Sequence, residues 1–562
     1  MAFFGKHLFR IAIEKKVSHD IVYIHMAIDH LFKLVKSLSK NEKVYIKRNA
    51  TMHTIGEKNK YIKLFDTLCE MKAYDEKLIR RRFSEDPFFN NMSAAKSYLL
   101  KFILHSLESY HETIYSEIRS CLHQIEILED KGLIELCRKR LARAEYLVKK
   151  YQVVDQMFAV YNWKYHLYPE GQTRKQFHAC VEELDADVQQ AIALTKELAD
   201  VKKQCFSIME KCLYVNLEVN GGDMSEIDEE INRLKDVNAS QYHSFLAKYN
   251  FISGMRILYT TAMNNEEALR YTDETNALFF EHPHMIELET FNVLFSLREK
   301  VHFEFVKGNY DKVLETFHIL DELDKQYGSY KKTVGILLHN MKLVNCLRLG
   351  EFESAREHAV RFEKYFDQIE MSQIHIDERK MFYIRASVTY FGLKRYKESL
   401  KYINYILDTS ADEMLGDLHY FCQLFQLIIY FEKGDSELIE YKARSVYRTL
   451  LRKKRKFRAG KLIIDFFRSI HHADLGEEHR EAFAKLKRDL LGLLKEYPEE
   501  KRYLRFFYII SWLDSKIDEC SLTEVLHAEY HRVFESESGR ELIKYLSGTY
   551  KSEARTFELT VG

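Results

Sequence analysis

Apolar side chains recur along most of this chain at intervals of three and four residues, the period of one helix face. Segment 352–366 shows the pattern well: Phe352, Ala355, Ala359 and Phe362 share a stripe, with charged residues between them. The alanines of that stripe let a partner helix come close, and the aromatics fill the groove beside it. Helical patterning begins at Met26 and predicts short helices over 40–50, 58–71, 74–83 and 92–112. Ser39 and Glu42 fit a capping box at the start of 40–50. Longer helices are predicted over 113–129, 132–151 and 153–168, then over 173–217 as two segments. Asn220-Gly-Gly-Asp223 marks a loop, and the carboxylates of Glu226–Glu230 suit the helix start that follows it. From about 240 to 470 the pattern settles into helix pairs, and helices over 476–495 and 499–517 cap them.

Within that stretch one phrase returns. It reads Phe305-Val-Lys-Gly-Asn-Tyr-Asp-Lys-Val-Leu314, then Leu347-Arg-Leu-Gly-Glu-Phe-Glu-Ser-Ala-Arg356, then Phe391-Gly-Leu-Lys-Arg-Tyr-Lys-Glu-Ser-Leu400. Met263-Asn-Asn-Glu-Glu-Ala-Leu269 and Phe431-Glu-Lys-Gly-Asp-Ser-Glu-Leu438 are weaker copies. With Met263, Gly308, Gly350, Lys394 and Gly434 as the shared turn position, the steps are 45, 42, 44 and 40 residues. Self-similarity at such a period marks a helical repeat array. The phrase resembles the tetratricopeptide repeat: a small or turn residue, an aromatic two positions later, then Ala or a substitute. The step here is longer than that family's usual one.

A wider resemblance rests on Leu34-Val-Lys-Ser-Leu-Ser-Lys-Asn-Glu-Lys43, Tyr61-Ile-Lys-Leu-Phe-Asp66, Tyr74-Asp-Glu-Lys-Leu-Ile-Arg-Arg-Arg-Phe83 and Ala95-Lys-Ser-Tyr-Leu-Leu100. Lys131-Gly-Leu-Ile-Glu-Leu-Cys137 and Phe507-Tyr-Ile-Ile-Ser-Trp-Leu-Asp-Ser-Lys516 extend it. In these segments the chain resembles an uncharacterised family of Bacteroidetes helical-repeat proteins. The resemblance implies a bacterial cytoplasmic protein and carries no activity and no site residues. It begins after residue 25, so residues 1–25 are expected to be dispensable for folding.

Composition agrees with long helices and tight turns. The chain of 562 residues holds only 20 Gly and 4 Pro, which argues against an all-β reading. Aromatics reach 13% and suit the gaps between stacked helices. Basic and acidic residues balance at 85 each, so overall charge points to neither nucleic acid nor a membrane surface. The distribution is uneven: residues 31–110 carry 16 basic and 9 acidic side chains, and residues 181–240 carry 6 and 14. Nine scattered cysteines without Cys-x-x-Cys spacing read as reduced core thiols. No stretch approaches 18 apolar residues, so no membrane span is expected.

Candidate chemistry changes the picture little. No phosphate loop, dinucleotide fingerprint, His-Glu-x-x-His or Gly-x-Ser-x-Gly pattern is present. His471, His472, Asp474, Glu477 and His479 form the densest ligand-capable group, and Glu281-His-Pro-His284 is a smaller one; both read as inter-helix turns. Arg452-Lys-Lys-Arg-Lys-Phe-Arg458 is the strongest charge run. On a helix it spans about two turns and surrounds the axis, as a solvated helix end does. Arg80, Arg81 and Arg82, with Lys43, Lys47 and Arg48, make a DNA-binding head conceivable.

The expectation is an all-α fold, an α-α superhelix of tetratricopeptide-like helix pairs with a small helical N-terminal domain. Its parts are an extension (1–25), a helical N-terminal domain (26–112), irregular helical repeats (113–239), the repeat array (240–475) and C-terminal capping helices with a tail (476–562). The expected function is non-enzymatic: a cytoplasmic scaffold that binds a protein or peptide on a wall formed by the first helix of each pair. Side chains on those helices include Tyr259, Asn292, Arg298, Asn340, Asn345, Tyr383 and Tyr390. None is nominated as catalytic, cofactor-binding or metal-binding, and no cofactor is expected. The alternative is a transcriptional regulator, with a basic DNA-binding head that contacts nucleic acid and a repeat sensor.

Overall fold

The computed structural model describes residues 22–52, 60–71, 74–84, 91–167, 173–217, 224–327, 333–368, 376–408, 416–452, 458–470, 477–497, 500, 504 and 506–548. Those residues form 27 α-helices and no strand. They divide into two compact units: residues 1–120 with 363–381, and residues 121–362 with 382–562.

The first unit opens with α1 (Val22–Ser37), α2 (Lys40–Met52), α3 (Lys60–Glu70), α4 (Glu76–Arg82) and α5 (Met92–Tyr110). These helices close a core of their own around Val35, Ile46, Leu64, Phe65, Ile79, Leu99 and Ile103. The capping box forms as the spacing predicts. The Ser39 amide donates to Glu42 Oε2 at 2.6 Å, and the Glu42 amide donates to Ser39 Oγ at 3.3 Å. Helix α1 already begins at Val22, and residues 1–21 lie outside the described residues.

Helices α6 (Ile114–Asp130), α7 (Ile134–Lys150) and α8 (Val154–His166) follow, then α9 (Arg174–Leu217) and α10 (Ser225–Leu234). Segment 173–217, expected as two helices, is one helix of 44 residues. It contains neither Pro nor Gly, so nothing in its backbone interrupts the hydrogen-bond ladder.

The predicted pairs then appear. They are α11 (Phe245–Thr261) with α12 (Asn265–Glu281), and, after the short α13 (His284–Leu288), α14 (Thr290–Lys307) with α15 (Tyr310–Tyr327). Next come α16 (Thr333–Arg348) with α17 (Phe352–Gln368), α18 (Ile376–Gly392) with α19 (Tyr396–Leu407), and α20 (Gly416–Lys433) with α21 (Ser436–Arg452). Each pair turns at the residue taken as the repeat marker. Met263, Gly308, Gly350, Lys394 and Gly434 all sit in the left-handed region, with φ of 56, 81, 71, 58 and 77°. In each turn the following amide donates back over five residues: Asn264 to Tyr259, Asn309 to Glu304, Glu351 to Cys346, Arg395 to Tyr390 and Asp435 to Tyr430, at 2.8–3.0 Å. That bond defines a Schellman cap, which ends one helix and leaves the chain free to start the next. Gly132 and Gln152 make the same turn between α6, α7 and α8, so the cap extends upstream of the recognisable repeat.

Packing within the array follows the stripe read from the sequence. Phe352, Ala355, Ala359 and Phe362 are all buried, and the Phe362 ring stacks on Phe382 at 4.3 Å. Helices α22 (Arg458–Ser469) and α23 (Glu477–Glu496) close the far end. The buried Glu500 carboxylate accepts from the Arg458 and Ala459 amides at 3.1 and 3.2 Å and caps α22.

The C-terminal helices do more than cap that end. Helices α24 (Ile509–Ile517), α25 (Leu522–Glu529), α26 (His531–Glu535) and α27 (Glu537–Leu546) run back along the array. Phe507 meets Phe391 of α18 at 5.2 Å and Phe425 of α20 at 4.7 Å. Trp512 packs among Phe431, Phe467 and Phe483, and its Nε1 donates to Glu432 at 2.7 Å. Leu526 abuts Gly350, and the Tyr530 ring lies 5.8 Å from Phe305 of α14. Tyr545 of α27 packs on Phe317, and its hydroxyl donates to Asp321 of α15.

Candidate functional site

The first helices were expected to present a binding wall, and the seven side chains named on them divide sharply. Tyr259 stacks on Tyr271, Tyr390 stacks on Tyr402, and Tyr383 lies against Tyr402 and Tyr405. Asn292 donates to Glu289, and the buried Asn345 donates to the Met341 carbonyl. These five are packing and local hydrogen bonds. Arg298 and Asn340 differ: they meet one another's neighbours across three helices.

Around them the fold gathers four guanidinium groups, from Arg256 on α11, Arg298 on α14, Arg348 at the end of α16 and Arg385 on α18. Glu299 is the carboxylate that answers two of them, Arg298 and Arg256. Its Oε1 accepts from Arg298 Nη2 at 2.8 Å, and its Oε2 lies 3.8 Å from Arg256 Nη1. Burial pushes the Glu299 carboxyl up, and Arg298 and Arg256 outweigh it, so its pKa lies below the ordinary carboxylate range. The Phe295 ring packs under both of these cations, 4.9 Å from Arg256 and 4.2 Å from Arg298.

Among the described residues Arg348 and Arg385 find only neutral acceptors. Arg348 Nη2 donates to His302 Nδ1 at 2.6 Å, and its face covers the Phe305 ring at 5.3 Å. Burial, then the field of Arg348, lowers His302 to about 4, so the imidazole accepts as a neutral ring at pH 7. Arg385 Nη1 donates to Asn340 Oδ1. Burial, then the fields of Arg298 and Arg348, pulls Arg385 down to about 10. The Tyr508 hydroxyl, brought in just ahead of α24, lies in the field of both Arg348 and Arg385.

Sequence reading named Arg298 and Asn340 and missed Arg256, His302, Arg348 and Arg385. The signal available was the repeat itself. Arg385 and Asn340 are 45 residues apart, and Arg348 and His302 are 46 apart, close to one repeat step. Polar residues one step apart on successive first helices become neighbours once the pairs stack.

The other sequence candidates are placed elsewhere. His282 and His284 are packing residues, the first against Phe245 and the second against Tyr151. Of the histidine-rich turn, Glu477 and His479 lie on the first turn of α23; His471, His472 and Asp474 lie outside the described residues. Among the described residues no group of three or more His, Cys, Asp and Glu could hold a metal ion. Of the basic run, 453–457 lie outside the described residues, and Arg458 stacks on Tyr497 at 3.7 Å. Arg80, Arg81 and Arg82 are exposed on α4; Arg80 pairs with Glu76 and Arg82 with Glu70, each at 3.0 Å.

Exposed large apolar side chains concentrate on α6 to α9. They include Ile127, Tyr146, Phe158, Tyr165, Ile192 and Phe206. Phe158 and Tyr165 are one heptad apart on α8. Ile192, Ala199 and Phe206 repeat every seven residues on α9, and all three are exposed. An open cleft of about 610 Å³ lies between α9, α10 and Tyr242, lined by Glu197, Asp200, Lys203 and Arg233 among others. No helix among the described residues is long and apolar enough to cross a membrane.

Comparison with family models, with curated proteins and with solved structures found no match.

Proposed function

We propose that this protein is a non-enzymatic helical-repeat scaffold that holds a protein partner on helices α6 to α9. The carrying observation is the run of exposed apolar side chains there, above all the Ile192–Ala199–Phe206 stripe of α9. Exposed apolar surface is unfavourable in water, and where it concentrates it marks interaction sites. The first helices offer a poorer docking wall, because Phe507, Trp512, Leu526 and Tyr530 of the same chain already pack on their ends beside the turns. The test is affinity capture from the native host with mass spectrometry, comparing wild type with Ile192→Glu/Phe206→Glu. Both positions are exposed, so the variant should keep its melting temperature and lose its specific partners. Recovery of the same partners by the folded variant would sink the reading.

The proposal extends to the setting. All nine cysteines are free thiols, which supports a reducing cytoplasm. Stacked helix pairs support kinship with the uncharacterised Bacteroidetes helical-repeat proteins that the opening segments resemble.

A second reading, a DNA-binding regulator, is favoured by one observation: the N-terminal helices close a separate core and leave Arg80, Arg81 and Arg82 exposed on one short helix. Ion pairs to Glu76 and Glu70 reduce the charge available to phosphates. Under this reading, duplex DNA retards the wild type in gel mobility assays at low salt, and Arg80→Ala/Arg81→Ala/Arg82→Ala abolishes the shift.

A further inference from the structure

We propose that the arginine cluster on the first helices is a binding site for a small ligand carrying a phosphate group. This site is separate from the α6–α9 surface and does not depend on a protein partner docking there.

The argument begins with charge. Arg256 and Arg298 share the carboxylate of Glu299, whereas Arg348 and Arg385, in one another's field and that of Arg298, bond to the neutral His302 and Asn340. Arg348 and Arg385 have no carboxylate within ion-pair distance among the described residues. Glu529, held by Ser511 Oγ at 2.7 Å, is the nearby carboxylate, and it makes no ion pair with either arginine. A guanidinium stays charged at any physiological pH, so this surplus cannot be removed by losing a proton. Holding like charges close together is unfavourable unless an anion answers them. Ring contacts and single hydrogen bonds leave that repulsion standing at Arg348 and Arg385, which points to a ligand.

Donor geometry leads to the same class. A guanidinium carries five N–H donors along its edges, while its flat faces are available for stacking. Here the faces are taken: Phe295 lies against Arg256 and Arg298, and Phe305 against Arg348. The edges are not. Among the described residues Arg348 spends one hydrogen bond on His302 and Arg385 one on Asn340. The rings therefore hold three of the forks in place, and Arg348 and Arg385 each keep further N–H donors for a ligand. A carboxylate offers two oxygens and one charge, whereas a phosphate offers more oxygens and more charge to forks arriving from several helices. The site is reachable, since the Arg298 side chain remains 39% exposed. Tyr508 adds a hydroxyl beside Arg348 and Arg385.

The experiment uses the full chain and inorganic phosphate as probe. Thermal denaturation and titration calorimetry are run against sodium chloride of matched ionic strength and against citrate. Phosphate is expected to bind saturably and raise the melting temperature, and Arg385→Met and Arg298→Gln are each expected to weaken binding roughly tenfold or more. Without phosphate, Arg385→Met should melt no lower than wild type, because it removes a half-buried cation that no carboxylate pairs with among the described residues; a purely structural arginine would do the opposite. Should Arg385→Met fail to fold, Arg298→Gln at the exposed rim carries the comparison. Equal melting in phosphate and matched chloride would overturn the proposal. So would a phosphate effect that persists in the folded variants, and so would binding of citrate without phosphate.

Discussion

A single backbone conformation serves five repeat turns, yet the residues that adopt it differ. Gly308, Gly350 and Gly434 accept positive φ freely; Met263 and Lys394 do not. A Cβ in the left-handed region costs about 1–2 kcal/mol, and glycine's greater unfolded-chain freedom returns about 0.5–1 of that. Met263→Gly and Lys394→Gly should therefore stabilise the protein slightly, by about 0.5–1 kcal/mol in urea denaturation. A lower midpoint for either would show that the native side chain contributes packing. Among the glycines, Gly434 has open space around it, so alanine there meets only the backbone cost. Gly350→Ala should be worse, because its Cβ would also press on Leu526 Cβ at 3.2 Å and on Thr523 backbone at 3.4 Å. Ala355→Leu and Ala359→Leu test the stripe of α17: both alanines are fully buried, and overpacking there should cost about 1–3 kcal/mol. Neutral substitutions would mean that the groove can widen without strain.

At the scale of elements, the C-terminal helices are the largest departure from expectation. Pattern reading placed a helix over 499–517 at the end of the array. The chain instead forms α24 to α27 and lays them against α14, α15, α16, α18 and α20. Trp512 is the anchor: it is 1% exposed, packs among three phenylalanines and donates to Glu432. Trp512→Ala should destabilise by about 3–5 kcal/mol. Trp512→Phe should recover much of the packing but remove one donor to Glu432, which keeps Lys516 at 2.5 Å and Tyr396 as partners. Chemical denaturation of both variants would check this; an unaffected alanine variant would mean that the C-terminal helices are not integral to the array.

For the molecule as a whole, buried histidines tie distant parts of the chain to pH. His358 of α17 bonds through Nε2 to the Leu546 carbonyl at 2.7 Å, across 188 residues, and His339 of α16 lies 5.7 Å from its ring. Burial lowers His358 to about 4; burial and the neighbouring His358 and Lys342 lower His339 to about 3. Together with His302 at about 4, these rings are neutral when folded and ordinary when unfolded. The unfolded chain therefore binds more protons below about pH 6.5, and stability falls as pH drops from about 6.5 towards about 4. The slope is up to about 1.4 kcal/mol per pH unit for each histidine. Denaturant midpoints measured from pH 7.5 to 5 should fall steadily, and His339→Gln/His358→Gln should flatten the dependence. A midpoint independent of pH would mean that these rings protonate without disturbing the contact to α27.

Much of this was written in local sequence. Helix periodicity, the Ser39–Glu42 box and the turn phrase depend on residues a few positions apart, and the physics behind them is equally local: 3.6-residue spacing, an orphan amide, a positive φ. The five turns could thus be located to the residue before any coordinate was known. What only the tertiary structure decided concerns residues a repeat or more apart. That 506–546 folds back depends on the Phe391, Phe425 and Phe431 surface, which 499–517 alone cannot reveal. That Arg256, Arg298, Arg348 and Arg385 share one site depends on stacking four first helices, and no short motif carries it. Period and turn chemistry determined the architecture; long-range burial decided which faces are covered and where charge collects, because those energies belong to pairs of surfaces and not to single segments.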